Sequence, residues 1–264
     1  SVVCPSGFWG FKHLLEQPLS VVKKKSRLSS NTGDAGGTAG STVGSTVGDV
    51  QAAAAALIGA GDLVTRLVAG LAGAPVRALM AISRELDDVV DHVQEMRAAA
   101  GWFLEVKDNK AEVLVNLQAA ALAGVPLIYF YCHGGRAGGD TWLGIGRGER
   151  LVPGDLQARD IDWSPASPLV LINGCHTVDL TPDDLISFNQ TLSWCRAAGA
   201  IGTEIDIPET LARDFARGFF ADLAAGQPVG TAIRQRRLSL LARGNPLGLA
   251  YTPYCSASLQ LVRQ

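Results

Sequence analysis

Two short stretches hold the residues best equipped for chemistry. "YFYCHGG" (129–135) sets Cys132 beside His133, and "LINGCHT" (171–177) sets Cys175 beside His176. Thiolates and imidazoles in that company can do one of two things: ligate a metal, or work as a nucleophile with an acid–base partner. The metal reading needs all four side chains aimed at one ion. Adjacent residues in extended chain point to opposite sides, and adjacent ligands fall outside the usual spacing of structural zinc sites. No metal and no other cofactor is therefore expected.

The nucleophile reading needs only one member of each pair in a shared cleft. Cys132 still lies inside an apolar run, where a thiol is inert and its pKa rises. His133 is followed by Gly134 and Gly135, so the backbone there is about to leave the sheet and the ring can reach solvent. Asn173 and Gly174 break the other run before Cys175, which puts Cys175 on a turn with backbone N–H groups free to face a bound carbonyl. Cys175 with His133 is the pairing these residues favour. The bland alternative is two core cysteines and two loop histidines. His13, His92 and His176 are expected to have no catalytic role.

Both pairs have to be carried by strands that end side by side. "VRALMAIS" (76–83), "WFLEV" (102–106), "PLIYFYC" (126–132), "PLVLIN" (168–173), "AIGTEIDI" (200–207) and "ASLQLV" (257–262) read as strands. Between them lie amphipathic stretches. Arg84 to Ala100 has Leu86, Val89, Val90, Val93 and Met96 at helical spacing and stops at Gly101. Asn109 caps a helix to about Ala123, Thr181 and Pro182 open another, and two more cover about 208–225 and 228–243. "TWLGIGRGERLVPGDL" (141–156) predicts a hairpin turning at Gly146–Gly148, with Asp155 near a short helix; "GIGRG" lacks the spacing of a dinucleotide loop. Alternating strands and helices predict an α/β sandwich on a mostly parallel sheet, whose sites form at the carboxyl ends of strands. Trp142, Trp163 and Trp194 are expected to be packing residues, and Asp140 and Asp179 to serve turns.

The 264 residues are 47% hydrophobic and 18% charged with a net charge of −2, enough to bury a core and without a basic face for nucleic acid or an anionic membrane. Lys23–Lys25 with Arg27 is too short a run to change that. Five scattered cysteines (Cys4, Cys132, Cys175, Cys195, Cys255) predict free thiols in a reducing, cytoplasmic setting over a disulfide framework. No apolar run reaches transmembrane length, and the opening "SVVCPSGFWG" has neither Met nor a basic n-region, which predicts a piece of something longer without a secretory leader. "SSNTGDAGGTAGSTVGSTVG" (29–48) is too poor in apolar residues to pack and reads as a flexible insert or processing site. The expected division is a lead at 1–28 packed on the main body, an insert at 29–50 and a domain at 51–264.

"YFYCHGG", then "LVLINGCHT", then the long run from "GAIGTEIDI" to "SASLQL" resemble the CHAT domain, a caspase-like cysteine peptidase module. The likeness runs from about residue 76 to the end, and "CPSGFWGFKHLLEQPL" resembles the family's N-terminal part. It implies a caspase-like three-layer α/β sandwich and a His133–Cys175 dyad, with Gly134 N–H and Cys175 N–H as the oxyanion hole. A protein or peptide substrate is implied, as are further sensor or regulatory modules in a longer bacterial protein of signalling, defence or cell death. In related peptidases an acidic residue in the neighbourhood of the next strand can select a basic P1 side chain, which points to Glu204 or Asp206 on that strand; a carboxylate capping the helix near Pro208 is the alternative. A catalytically idle scaffold that binds a partner protein is the rival function.

Overall fold

A computed structural model describes residues 66–68, 75–120, 124–137, 140–174 and 188–262. The lead, the Gly/Ser/Thr stretch and the start of the helix at Thr181–Pro182 lie outside the described residues, as do Cys175, His176 and Asp179.

Six strands form the central sheet. Arg77–Ile82 (β2), Phe103–Lys107 (β3), Leu127–Tyr131 (β4), Leu169–Asn173 (β8) and Gly199–Thr203 (β9) are mutually parallel, and Tyr251–Cys255 (β10) closes one edge antiparallel to β9, in the order β10-β9-β8-β4-β2-β3. β4 and β8 are apolar throughout because each is buried on both faces. Successive residues feed opposite layers. Leu127, Tyr129 and Tyr131 join one core with helices Val89–Ala100 (α1), Glu209–Ala224 (α5) and Val229–Ala242 (α6). Ile128, Phe130 and Cys132 join the other with Lys110–Ala119 (α2) and Phe188–Trp194 (α4). The mostly parallel sheet flanked by helices is the architecture expected.

Several element ends differ from the periodicity, each for a visible reason. α1 begins at Val89 and not at Arg84, because Asp88 is left-handed (φ 54) and the chain from Ser83 is occupied elsewhere. Ser83 bridges to Gly146, Arg84 N–H donates to the Gly146 carbonyl at 2.6 Å, and the Arg84 side chain pairs with Asp108. At its other end α1 stops at Gly101 (φ 61), as read. Asn109 caps α2 by accepting the Glu112 N–H at 3.1 Å, and the helix ends at Ala119.

The strand expected over 200–207 is Gly199–Thr203, so Glu204 and Asp206 lie beyond it and not in it. Its partner β10 starts at Tyr251, opposite Thr203, and past that pair only the Glu204 N–H to Ala250 carbonyl bond (3.3 Å) joins the two segments. β10 itself escapes the periodicity because of Pro253. A proline is admissible here since β10 is an edge strand. The last strand is only Gln260–Val262 (β11), pairing in parallel with Arg66–Val68 (β1).

A second, three-stranded antiparallel sheet stands at the carboxyl end of β4. It comprises His133–Ala137 (β5), Asp140–Ile145 (β6) and Glu149–Leu151 (β7), followed by the short helix Pro153–Ala158 (α3). The β6–β7 turn falls at Gly146–Gly148, where φ values of 60 and 87 suit glycine, and a Cβ at Gly146 would meet the Asp108 carbonyl.

Candidate active site

The strands that precede the two Cys-His motifs in the chain are adjacent and end on the same rung. Tyr131 at the end of β4 pairs with Asn173 at the end of β8, and Cys132 N–H lies 3.4 Å from the Asn173 carbonyl. His133 and Cys175 each follow a member of that pair by two residues.

Within the first motif the structure separates the neighbours. Cys132 is 2% exposed and packed in the α2-side core. His133 is half-buried on β5, so its backbone does leave the main sheet, but into a new ladder and not into a loop. Cys195 and Cys255 are also buried and outside any disulfide. Gly134, half-buried, sits opposite Leu143. Glu204 and Asp206 are both exposed past the end of β9, and Thr252 Oγ1 on β10 donates to Glu204 Oε1 at 2.9 Å.

The exit of β8 is held from below. Asn173 is 2% exposed, and every polar position of its amide facing the α5 side is used. Nδ2 donates to Tyr129 Oη at 3.0 Å and to the Ala212 carbonyl at 2.8 Å, while Tyr251 Oη donates to Oδ1 at 2.7 Å. Tyr129 Oη in turn lies 2.8 Å from Nε2 of the fully buried His92. The phenol O–H can donate to Nε2, and the imidazole proton then sits on Nδ1, which makes no hydrogen bond among the described residues; Glu95 Oε2 lies 3.9 Å away. Burial, reinforced by the nearby Arg213 and Arg217 charges, pulls the His92 pKa down to about 3, so the ring is neutral. Burial likewise pushes the Tyr129 phenol well above its usual range. One residue on, Thr203 Oγ1 donates to the Gly174 carbonyl.

Sequence reasoning treated Asn173 only as a strand breaker and His92 only as a helix residue. The available signal was an amide directly after four apolar residues that all belong to a core: such a group must find partners inside. Trp142 was expected to be a packing residue. It is half-buried on β6, opposite Gly135, on the His133 face of the small sheet. Trp163, by contrast, is fully buried and donates Nε1–H to the Leu117 carbonyl at 2.8 Å, a packing residue as read.

The model of the CHAT domain family matches residues 51–262. The chain belongs to the CHAT domain family. A curated relative from Vitiosangium sp., described as a "Probable protease", is 33% identical over 98% of this CHAT chain and 31% of its own length. The chain thus spans about a third of that relative. Among solved structures, one titled "Structure of Protease" aligns with a TM-score of 0.52 at 12% identity, over 70% of this chain and 48% of the other, a likeness of fold. The Drosophila initiator caspase Dronc aligns with a TM-score of 0.45 at 8% identity, over 76% and 85% respectively. The layered α/β sandwich is a fold this CHAT domain shares with the first of those two, the solved protease. No helix among the described residues is long and apolar enough to cross a membrane.

Proposed function

We propose that this CHAT domain is a cysteine endopeptidase that cleaves a partner protein with a His133–Cys175 dyad. The observation that carries the reading is the shared rung. β4 and β8 run in register to Tyr131 and Asn173, which precede His133 and Cys175 by two residues each. The burial of Cys132 favours His133 as the working member of its pair.

In this scheme the Cys175 thiolate attacks the scissile carbonyl carbon and the π electrons move to oxygen. The Gly134 and Cys175 N–H groups stabilise that oxyanion, where a lost donor costs on the order of 10²–10³ in rate. Protonated His133 gives its proton to the leaving nitrogen as the C–N bond breaks, leaving an S-acyl enzyme. Water then attacks the thioester while His133 accepts its proton; the acid is released and the thiol–imidazole pair restored. Glu204 or Asp206, exposed beyond β9, would pair with a basic P1 side chain. The setting would be a longer, multidomain bacterial protein acting in the cytoplasm in signalling, defence or cell death.

The test is mass-spectrometric labelling with acyloxymethyl ketone peptides carrying Arg, Lys, Leu or Asp at P1, on wild type and His133→Ala. Adduct on Cys175 alone, lost in the variant and strongest with Arg or Lys, is the expected result. Equal labelling of several cysteines, or none on Cys175, would leave the chain as a caspase-like scaffold that binds a partner.

A further inference from the structure

The small sheet that carries His133 has a built face that the peptidase scheme leaves unused. His133, Gly144 and Arg150 form one cross-strand row, His133 opposite Gly144 and Gly144 opposite Arg150, so their Cα–Cβ directions share a face. Gly135 and Trp142 form the next row on that same face. The two glycines make the room that the indole occupies. A Cβ on Gly135 would come within 2.7 Å of Trp142 Cζ2, and one on Gly144 within 3.4 Å of Trp142 Cζ3 and 3.6 Å of His133 Cβ. Trp142 therefore lies over the two glycine positions, on the face of the sheet that carries the histidine.

Arg150 sits on that indole, its Cζ 4.7 Å from the ring centroid. The residue is exposed, and its guanidinium makes no ion pair with any described residue, whereas Lys110 next to it is engaged with Asp155 at 2.8 Å. A guanidinium held over an aromatic face has lost part of its rotamer freedom but keeps its in-plane N–H edge for a planar, bidentate acceptor. That is a preorganised receptor for a carboxylate.

The chemistry of the dyad decides which part of a substrate comes here. His133 must reach the leaving nitrogen, so residues on the amine side of the broken bond run over the His133 sheet. We propose that Arg150, seated on Trp142, binds a side-chain carboxylate on the first or second residue on the amine side of the cleaved bond. This selectivity would be separate from that of Glu204 or Asp206 on the acyl side, and it rests on the peptidase reading above.

The test uses the full chain and the four dipeptide amides Asp-Ala, Ala-Asp, Asn-Ala and Ala-Asn, each bearing the free amine that cleavage would release. Binding is followed by the ¹H–¹⁵N indole resonance of Trp142, assigned by its absence in Trp142→Phe. One Asp peptide is expected to bind roughly five- to tenfold tighter than its Asn counterpart at low salt. The ratio should shrink in high salt, persist in part in Arg150→Lys, and disappear in Arg150→Glu. Because Arg150 is exposed, the reversal leaves the fold intact, which a thermal melt confirms. A ratio near one, or one that Arg150→Glu leaves unchanged, overturns the proposal. Binding of the Asp peptide by a chain whose Cys175 is unreactive would sink the peptidase reading and keep the carboxylate site. Reactive Cys175 with no Asp preference would do the reverse.

Discussion

At the scale of single residues, Asn173 spends its whole amide on the protein interior, two positions before Cys175 in the chain. Its partners come from β4, β10 and α5, so one side chain fixes the end of β8 against three elements. Replacing it with alanine removes no charge but takes the acceptor from the buried Tyr251 hydroxyl and breaks the bonds to Tyr129 and Ala212. Three lost hydrogen bonds at about 1 kcal/mol each put the cost of Asn173→Ala at about 3 kcal/mol in urea unfolding. Tyr251→Phe is the milder control. It keeps the parallel stack on Phe215 (centroids 3.5 Å apart) and leaves only Asn173 Oδ1 unmet, so about 1 kcal/mol is expected. If the two variants lost the same stability, the amide would not be the hub its geometry makes it.

Elements hold the site through their ends more than through their middles. α2 packs Val113, Leu114 and Leu117 beneath β4's other face, and it starts where Asn109 accepts the Glu112 N–H. Lys110, in its first turn, also reaches the Arg150 carbonyl at 2.8 Å, tying this helix end to the small sheet. Asn109→Ala should therefore cost about 1 kcal/mol of stability and raise amide exchange in the first turn of α2, without altering exchange in α5. Equal exchange changes in both helices would mean that the cap supports the whole sandwich and not its own helix end. The left-handed Asp88 does the corresponding work for α1, setting its start at Val89 and offering its carboxylate to Arg213 on α5 at 2.9 Å.

For the whole molecule, the buried neutral His92 couples protonation to folding. Its folded pKa, about 3, lies below the ordinary value of 6.5. Between those values the unfolded chain binds the proton and the folded chain does not. Its contribution is thus complete above pH 6.5 and declines as the pH falls toward 3, by up to about 1.4 kcal/mol per pH unit. His92→Phe should flatten this part of the stability profile relative to wild type, and identical slopes from pH 6.5 to 4 would remove His92 as the cause.

The same scale separates what was legible in the chain from what was not. The strands ending in Tyr131 and Asn173, the caps at Asn109 and Gly101, and the Gly146–Gly148 turn were readable because each rests on neighbours within a few positions. The chemistry-bearing types at 132–134 and 173–175, and the family they resemble, were readable in the same way. Folding alone decided that β10 pairs along β9 despite Pro253, that β1 meets β11, and that His133 enters a second sheet. It also joined His92, Tyr129, Asn173 and Tyr251 in one network and laid Arg150 on Trp142. Those facts depend on partners far apart in sequence. Periodicity states which face a residue presents, but what stands opposite that face is chosen by the competition for buried hydrogen bonds and close packing in the assembled fold.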